Sequence, residues 1–449
     1  MSHHNTKIIA TVGPSCNNIN QLKQMCEAGM DIIRINASHT KEADLKQTLG
    51  KIKELRKEFP YVGLALDTKG PELRIGNLKT DLKVEQGDTL IFTNSHELAI
   101  QNPEYIFVDY SGLTSLTEEN QILIDDGLLK LSVEKVEDKL IETKALNKHI
   151  LHPGKSMNIP GHDLKLPFLS TKDINDIKLG ISYEIDFIFL SFVSSKKDLE
   201  AVRKLLKDME NPPLLVSKIE SQLGIENIRE IVEHSDGIMV ARGDLGAEVG
   251  YEKVFPLQKY IVAECVRVGK PCICATQMLE SICHSTVPTR AEVTDVGCAI
   301  LDGCDAVMLS SETASGDYPV IAVDVLSRIC NGAENVQREY SSFSGFRMGA
   351  ALKVLAGDCQ VKKIVVLADT FEQVLSVSSV RQPVPLLVIS SDIFFLRKMS
   401  LLRDCIPIWY EHPKMIEGIL RRVRGELKDG EAVVVYDASS LCINKYYYN

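Results

Sequence analysis

From residue 7 to about residue 335 the chain keeps returning to one pattern: a short apolar run, a polar or charged cluster, then an amphipathic stretch of helical length. The apolar runs fall at residues 7–12, 31–35, 62–66, 187–190, 214–216, 237–240, 271–274 and 306–309. Eight strand candidates alternating with helices predict a (β/α)8 TIM barrel.

One interval is too long for a loop. Across residues 71–160 the pattern changes to Gly-, Asp- and Pro-punctuated strands, at 89–93, 122–124 and 129–133, with Asp126-Gly127 as a hairpin turn. A small all-β domain inserted into the barrel is expected there, between barrel parts at 1–70 and 161–335. A polar stretch from Gln337 to Ser344 reads as a linker. Beyond it, apolar runs at 364–368, 386–389 and 432–436 separated by helical stretches predict a C-terminal α/β domain over 345–449.

Composition narrows the partners. With 61 acidic against 51 basic residues, a formal charge of -10, the chain lacks the basic surface that nucleic acid requires. A local cluster of Lys and Arg still admits small anions. No apolar run is long enough to cross a bilayer, and residues 1–6 are polar with no signal-peptide core, so the expected setting is cytoplasmic, without membrane attachment. The twelve cysteines are scattered singly through apolar stretches, which suits reduced core thiols; Cys272 and Cys274 alternate within a strand-like run.

Barrel enzymes build their chemistry at the carboxyl ends of the strands. Here those ends are charged: Arg34-Ile35-Asn36-Ala37-Ser38-His39 after the second run, Asp67-Thr68-Lys69 after the third, Lys218-Ile219-Glu220 after the fifth. Arg242-Gly243-Asp244 follows the sixth, Ala275-Thr276-Gln277 the seventh and Ser310-Ser311-Glu312 the eighth. Closing the barrel is expected to gather Arg34, Lys69, Lys218 and Arg242 beside Asp67, Glu220, Asp244 and Glu312. The cations ask for a phosphate or carboxylate; Glu220 and Asp244, on adjacent strands, ask for a hard divalent ion. Any one of these residues alone would read as a surface ion pair. Their joint placement at one rim favours a site. Residues 152–156 end like a P-loop, but His149 stands where its first glycine belongs. Gly243 and Gly246 lack dinucleotide spacing and suit backbone amides approaching an anion.

The stretches Asp67-Thr68-Lys69-Gly70-Pro71-Glu72, Lys218-Ile219-Glu220, Met239-Val240-Ala241-Arg242-Gly243-Asp244-Leu245-Gly246, Ala275-Thr276-Gln277-Met278-Leu279-Glu280-Ser281 and Pro288-Thr289-Arg290-Ala291-Glu292 closely resemble pyruvate kinase. The likeness runs in order from about residue 6 to 335 and weakens in the last hundred or so residues. It implies transfer of the phosphoryl group of phosphoenolpyruvate to ADP, giving pyruvate and ATP. Glu220 and Asp244 would hold Mg2+ or Mn2+, Lys218 would lie against the phosphoryl group, and Arg34 would anchor it. Gly243, Asp244 and Thr276 match positions that hold the substrate carboxylate, with Thr276 and Ser310 near the path of the proton. Asn36, Ser38, Asp67 and the Thr68 carbonyl match a K+ site, and Glu72 implies dependence on that ion. Nucleotide contacts would be Asn36, Ser38, His39, Arg74 and Lys155, the last at the end of an inserted domain that closes as a lid. The resemblance also implies a homotetramer.

Four positions depart from that pattern: Ala37 and Thr40 stand for a Phe and a Gly, Ser221 for an Asn, and Ser311 for a Gly. None is a ligand. At residues 436–440 the chain is followed almost at once by its last residue, where the resemblance implies a glycine-rich phosphate-binding loop and a final strand, so sugar-bisphosphate activation is not carried over. Two rivals remain: a magnesium-dependent lyase or aldolase of pyruvate-like acids on the same barrel, and a catalytically silent relative that binds metabolites. Lys69, Lys218 and the inserted domain speak against the first, and the intact carboxylates and lysine against the second.

Overall fold

The computed structural model describes residues 4–38, 40–162, 164–336, 347–358, 360–413, 415–424 and 431–447. Eight parallel strands close into a barrel in which each neighbours the next and the last pairs with the first. They are β1 (Lys7–Val12), β2 (Ile32–Asn36), β3 (Gly63–Asp67), β4 (Phe187–Leu190), β5 (Leu214–Ile219), β6 (Gly237–Ala241), β7 (Cys272–Ala275) and β8 (Ala306–Leu309). All eight expected runs are strands. The largest shift is in β5, which continues three residues past the apolar run. Its Ser217 is fully buried, with its hydroxyl against that of Ser235 at 2.7 Å, so polar residues extend the strand without facing water.

Alternation divides the side chains between two cores. Ile8, Ala10, Ile33, Cys272 and Cys274 face the surrounding helices, whereas Ile9, Ile32, Phe187, Phe189, Ile273 and Met308 fill the barrel interior. That interior core is continuous with Leu386, Leu396, Met399, Leu401 and Cys405, so the amino-terminal mouth is plugged by the C-terminal sheet and its helices. Burying Phe187 and Phe189 fully is worth about 1.5–3 kcal/mol each.

A ring of aspartates finishes this closed rim. Asp31, Asp186, Asp236 and Asp305 each stand immediately before an even-numbered strand. Each accepts the backbone N–H at the start of the preceding odd-numbered strand: Ile8 (2.8 Å), Leu64 (2.8 Å), Leu215 (2.8 Å) and Cys272 (3.0 Å). Each also has a cation: Lys7 at 3.6 Å, Arg56, Arg203 at 3.0 Å and Arg381 at 2.7 Å, respectively.

Between β3 and β4 the chain leaves the barrel at Gly70, whose φ of +66° turns it sharply; a β-carbon there would lie 2.9 Å from Ser191. The excursion forms a seven-stranded, mostly antiparallel sheet running from Leu73–Arg74 to Ser156–Asn158, a separate strand pair, one short α-helix, His96–Gln101, and a 3-10 turn, Leu113–Ser115. Its core is its own, built on Phe92, Ile122, Leu129, Leu131 and Ile141. The expected Asp126-Gly127 hairpin joins strands Gln121–Ile124 and Leu129–Glu137, with Asp125, Asp126 and Gly127 all at positive φ.

The C-terminal sheet has five strands, in the order Cys405–Trp409, Leu386–Ser390, Val361–Leu367, Ala432–Asp437 and Cys442–Tyr447. The expectation that no final strand follows residue 440 is corrected. Leu441 turns at φ 55° and Cys442–Tyr447 pairs antiparallel with Ala432–Asp437, a tight reversal that needs few residues. Pro407 and the alternating exposure of Cys442–Tyr447 hid these two edge strands from the apolar pattern. The linker expected at 337–344 lies outside the described residues. Among the described residues no helix is long and apolar enough to cross a membrane.

Candidate active site

The carboxyl-terminal rim of the barrel is organised around Asp67, the last residue of β3. Register sets it beside Asn36 of β2 and Phe189 of β4. Its Oδ2 accepts Arg34 Nε at 2.7 Å and its Oδ1 lies 3.1 Å from Lys218 Nζ. Burial pushes its carboxyl up, but Arg34 and then Lys218 outweigh this and hold it below the usual carboxylate range. Arg34 also donates to the Thr11 hydroxyl at the end of β1, at 2.9 Å.

Lys218 is buried where β5 reaches the rim, donating to the Ser191 hydroxyl at 2.8 Å and lying 2.9 Å from Glu220 Oε1. Burial opposes its charge; Asp67 and Glu220 override that and keep it protonated far above neutral pH. Glu220 accepts the Phe192 backbone N–H on Oε2 at 2.7 Å. Its Oε1 is buried and has the ion pair but no aligned hydrogen bond.

Asp244 sits in the first turn of helix α1 (Arg242–Val249), which begins directly after β6. Burial first and the neighbouring Glu220 second push its carboxyl up to about 8. A carboxyl that resists ionisation, beside a second one whose buried oxygen has an ion pair but no aligned hydrogen bond, fits a divalent cation between them. Among the described residues no group of three or more His, Cys, Asp or Glu could cage a metal. A pair suits magnesium, which takes one or two carboxylates and completes its shell with water and substrate oxygens.

Beside α1, the chain leaves β7 through Thr276 at φ 68° and Gln277 at φ 52°. Left-handed backbone at a β-branched residue costs about 1–3 kcal/mol and persists only where surroundings enforce it. The Thr276 hydroxyl accepts the Gly243 N–H at 2.9 Å and donates to the Ala275 carbonyl at 2.6 Å. Ser310, after β8, has a buried hydroxyl oxygen with no partner. Its backbone N–H goes to Glu312 at 2.7 Å.

Arg34, Lys218, Asp67, Glu220 and Asp244 therefore share one charged cluster, with Thr276 hydrogen-bonded to the amide beside Asp244. Two other charges expected at the mouth are spent on structure. Glu312 is fully buried and accepts the Leu279 and Ser310 N–H groups; Arg242 is turned into the carbonyls of the β7 loop. Asn36, Ser38, Asp67 and Thr68 lie on adjacent strand ends, where Asn36 Oδ1 accepts the Ser38 N–H at 3.1 Å and the Thr68 carbonyl accepts the Ser191 hydroxyl at 2.7 Å. His39 lies outside the described residues. Arg74 and Lys155 come together in the inserted sheet, Arg74 on Glu72 (2.9 Å) and the Gly154 carbonyl (2.9 Å), Lys155 on Asp125 (2.8 Å). The sheet's turn reaches the rim: Asp126 adds to the raised pKa of Asp244, and a β-carbon on Gly127 would lie 3.8 Å from Ala247 Cα.

Ser191 and Thr11 were missed from sequence, although the strand-end rule applies equally to β4 and β1 and would have found both. Ser221 keeps a local role, its hydroxyl accepting the Gly224 N–H at 3.1 Å to cap the next helix, as an Asn would. Ser311 donates to Glu280 at 3.1 Å.

Comparison with known proteins gives one answer. The family "pyruvate kinase, barrel domain" matches residues 3–323. A pyruvate kinase of Trypanoplasma borreli is 36% identical over 459 residues, covering 96% of this chain and 92% of that protein. One of Encephalitozoon cuniculi is 39% identical over 425 residues, covering 93% and 94%. The crystal structure of a pyruvate kinase from Cryptosporidium parvum superposes with a TM-score of 0.90 at 33% identity, covering 99% of this chain and 96% of that one.

Proposed function

Because this chain belongs to the pyruvate kinase family, and so moves a phosphoryl group from phosphoenolpyruvate to ADP, we propose that Lys218, Arg34, Glu220 and Asp244 carry that transfer. The observation that carries the assignment is the buried Glu220 Oε1, held 2.9 Å from Lys218 Nζ without an aligned hydrogen bond. Phosphoryl transfer is catalysed by positioning and by neutralising spread negative charge, and a fixed cation beside an underused carboxylate oxygen supplies the parts for both.

Glu220 and Asp244 would hold Mg2+ or Mn2+. That ion, when bound, neutralises charge on the phosphoryl and carboxylate oxygens of the substrate. Lys218 stays protonated throughout, since Asp67 and Glu220 hold its charge, and acts on the moving group as a point charge. Arg34 is fixed by Asp67 and Thr11, so its remaining N–H groups meet a phosphate with little loss of freedom. Gly243, Asp244 and Thr276 would receive the substrate carboxylate. The unpartnered Ser310 hydroxyl is free to pass a proton through water toward the enolate.

Potassium would sit among Asn36, Ser38, Asp67 and the Thr68 carbonyl. Asp67 and Thr68 already accept bonds from Arg34, Lys218 and Ser191, yet a carboxylate and a carbonyl each keep a further lone pair. ADP and ATP would be gripped by Asn36, Ser38, His39, Arg74 and Lys155, the last two swinging with the inserted sheet as it closes and excludes water. Membership of the family implies a homotetramer, and exposed aromatics such as Tyr251 (83%) and Phe255 (60%) on helix Tyr251–Val268 offer a surface for contact between copies. A cytoplasmic setting fits the described cysteines, all of which are free.

The deciding experiment is a coupled assay for pyruvate formed from phosphoenolpyruvate and ADP, run with and without magnesium and potassium. Turnover that needs both ions supports the whole assignment. No turnover of phosphoenolpyruvate, together with pyruvate released by carbon–carbon cleavage of a longer 2-oxo acid, would favour a lyase, and no turnover of either with retained metabolite binding a silent relative.

A further inference from the structure

Arg242 opens α1 yet makes its contacts on the end of β7 and the loop beyond it. Its Nε lies 3.2 Å from the carbonyls of both Ala275 and Thr276, and its Nη2 donates to Thr276 at 2.6 Å and to Gln277 at 3.2 Å. Its Nη1 is held by both oxygens of Asp295, at 2.8 and 2.6 Å, on helix α2 (Arg290–Asp302), with Gln258 at 3.4 Å. Three consecutive carbonyls thus converge on one planar guanidinium, and two of them belong to the residues with left-handed backbone, Thr276 and Gln277.

An ion pair with a half-exposed Asp295 alone would contribute little to stability. What the geometry provides is enforcement, because each carbonyl can face the guanidinium only while its peptide keeps this orientation. The same residue anchors the start of α1, whose second amide, that of Gly243, donates to the Thr276 hydroxyl. Building on the proposed substrate site, we infer that Arg242, held by Asp295, is a positioning residue. It locks the first turn of α1 to the β7 loop and so keeps Gly243, Asp244 and Thr276 in one rigid arrangement, in which the substrate carboxylate would take over donors that now bond internally, the Gly243 N–H on the Thr276 hydroxyl and that hydroxyl on the Ala275 carbonyl. A lysine cannot replace it, since a single ammonium does not span three carbonyls and a carboxylate in one plane.

The test uses the full-length protein with magnesium and potassium, comparing wild type with Arg242→Lys and Asp295→Asn. The readouts are kcat, KM for phosphoenolpyruvate, the solvent deuterium isotope effect on kcat, and the thermal midpoint. Loosening a face that orients a reacting group costs up to about a hundredfold in rate, so Arg242→Lys is expected to lower kcat ten- to hundredfold. Its isotope effect should rise as proton delivery to the enolate slows, while KM changes less than threefold. Asp295→Asn should show a smaller loss with the same signature. The inference is overturned if Arg242→Lys turns over within twofold of wild type, or if its loss merely tracks the fraction of unfolded protein with an unchanged isotope effect. A wild type that forms no pyruvate would instead sink the functional assignment, leaving the thermal midpoints of the variants to be read by themselves.

Discussion

Both rims of this barrel carry buried charge, and they use it in opposite ways. At the amino-terminal rim, Asp31, Asp186, Asp236 and Asp305 each satisfy a backbone N–H and a cation, and Asp186 and Asp305 are buried. At the carboxyl-terminal rim, Glu220 keeps a buried oxygen with an ion pair but no aligned hydrogen bond, Ser310 keeps a buried hydroxyl with no partner, Asp244 is forced toward its neutral form, and Thr276 is held in strained backbone. Both rims obey the same electrostatics. The difference lies in completeness: a network closed within the protein contributes to folding, and one left open is completed by ligands.

Exchanging the damage between rims is the way to break that comparison. The largest expected effect is at the open rim, where Lys218→Ala should lower kcat at least about 10²–10³-fold. Phosphoenolpyruvate binding should persist in the folded molecules, although the thermal midpoint should fall because the buried Asp67 and Glu220 lose their shared cation; a rate per folded molecule near wild type in the coupled assay would remove Lys218 from the transfer. Withholding potassium should come next, abolishing most activity in buffers that also lack sodium, and equal rates with and without the ion would show that Asn36, Ser38, Asp67 and Thr68 hold none.

At the closed rim the loss should fall on stability. Asp186→Ala strands the buried Arg56 and the Leu64 N–H, and should cost about 3–5 kcal/mol in denaturant unfolding. The activity of each folded molecule should be preserved, and a fall in kcat of the folded fraction would erase the distinction between rims.

The smallest effect sharpens the comparison through pH. Asp404, at the seam between barrel and C-terminal sheet, is buried and pushed up to about 6, burial outweighing Arg403 at 3.7 Å. A carboxyl whose folded pKa exceeds its unfolded one binds more protons when folded, so its burden on stability is absent below about pH 4 and grows as pH rises through 6. Asp404→Asn should therefore raise the unfolding free energy by about 1–3 kcal/mol at pH 7.5 and leave it unchanged at pH 4. A gain of equal size at both values would refute the assignment.

The barrel was legible because each strand is a dense apolar run, and the open rim because charged residues interrupt the pattern where those runs stop. Arg34, Lys218, Glu220 and Asp244 were found in this way. Sequence position does not show direction, which is why Arg242 and Glu312 are expected at the mouth although both bond to the backbone. The aspartate ring escapes a reading of single strands although its signal is plain in hindsight: an Asp opens the run at 31–35 and one stands directly before each of the runs at 187, 237 and 306. Such an Asp reads as a strand boundary, because nothing in one strand reveals the neighbour whose N–H the carboxylate receives. The edge strands Cys405–Trp409 and Cys442–Tyr447 failed for a related reason, since half-exposed strands lack the apolar density that marks covered ones.

The hydrophobic interior that runs without a break from Ile9 and Phe187 to Met399 and Leu402 makes the polypeptide hard to divide. A fragment ending near residue 336 would leave Phe187, Leu214 and Ala306 facing solvent and would be expected to clump during expression. Whoever wishes to transplant the catalytic scaffold must carry the C-terminal sheet with it, or design a new floor.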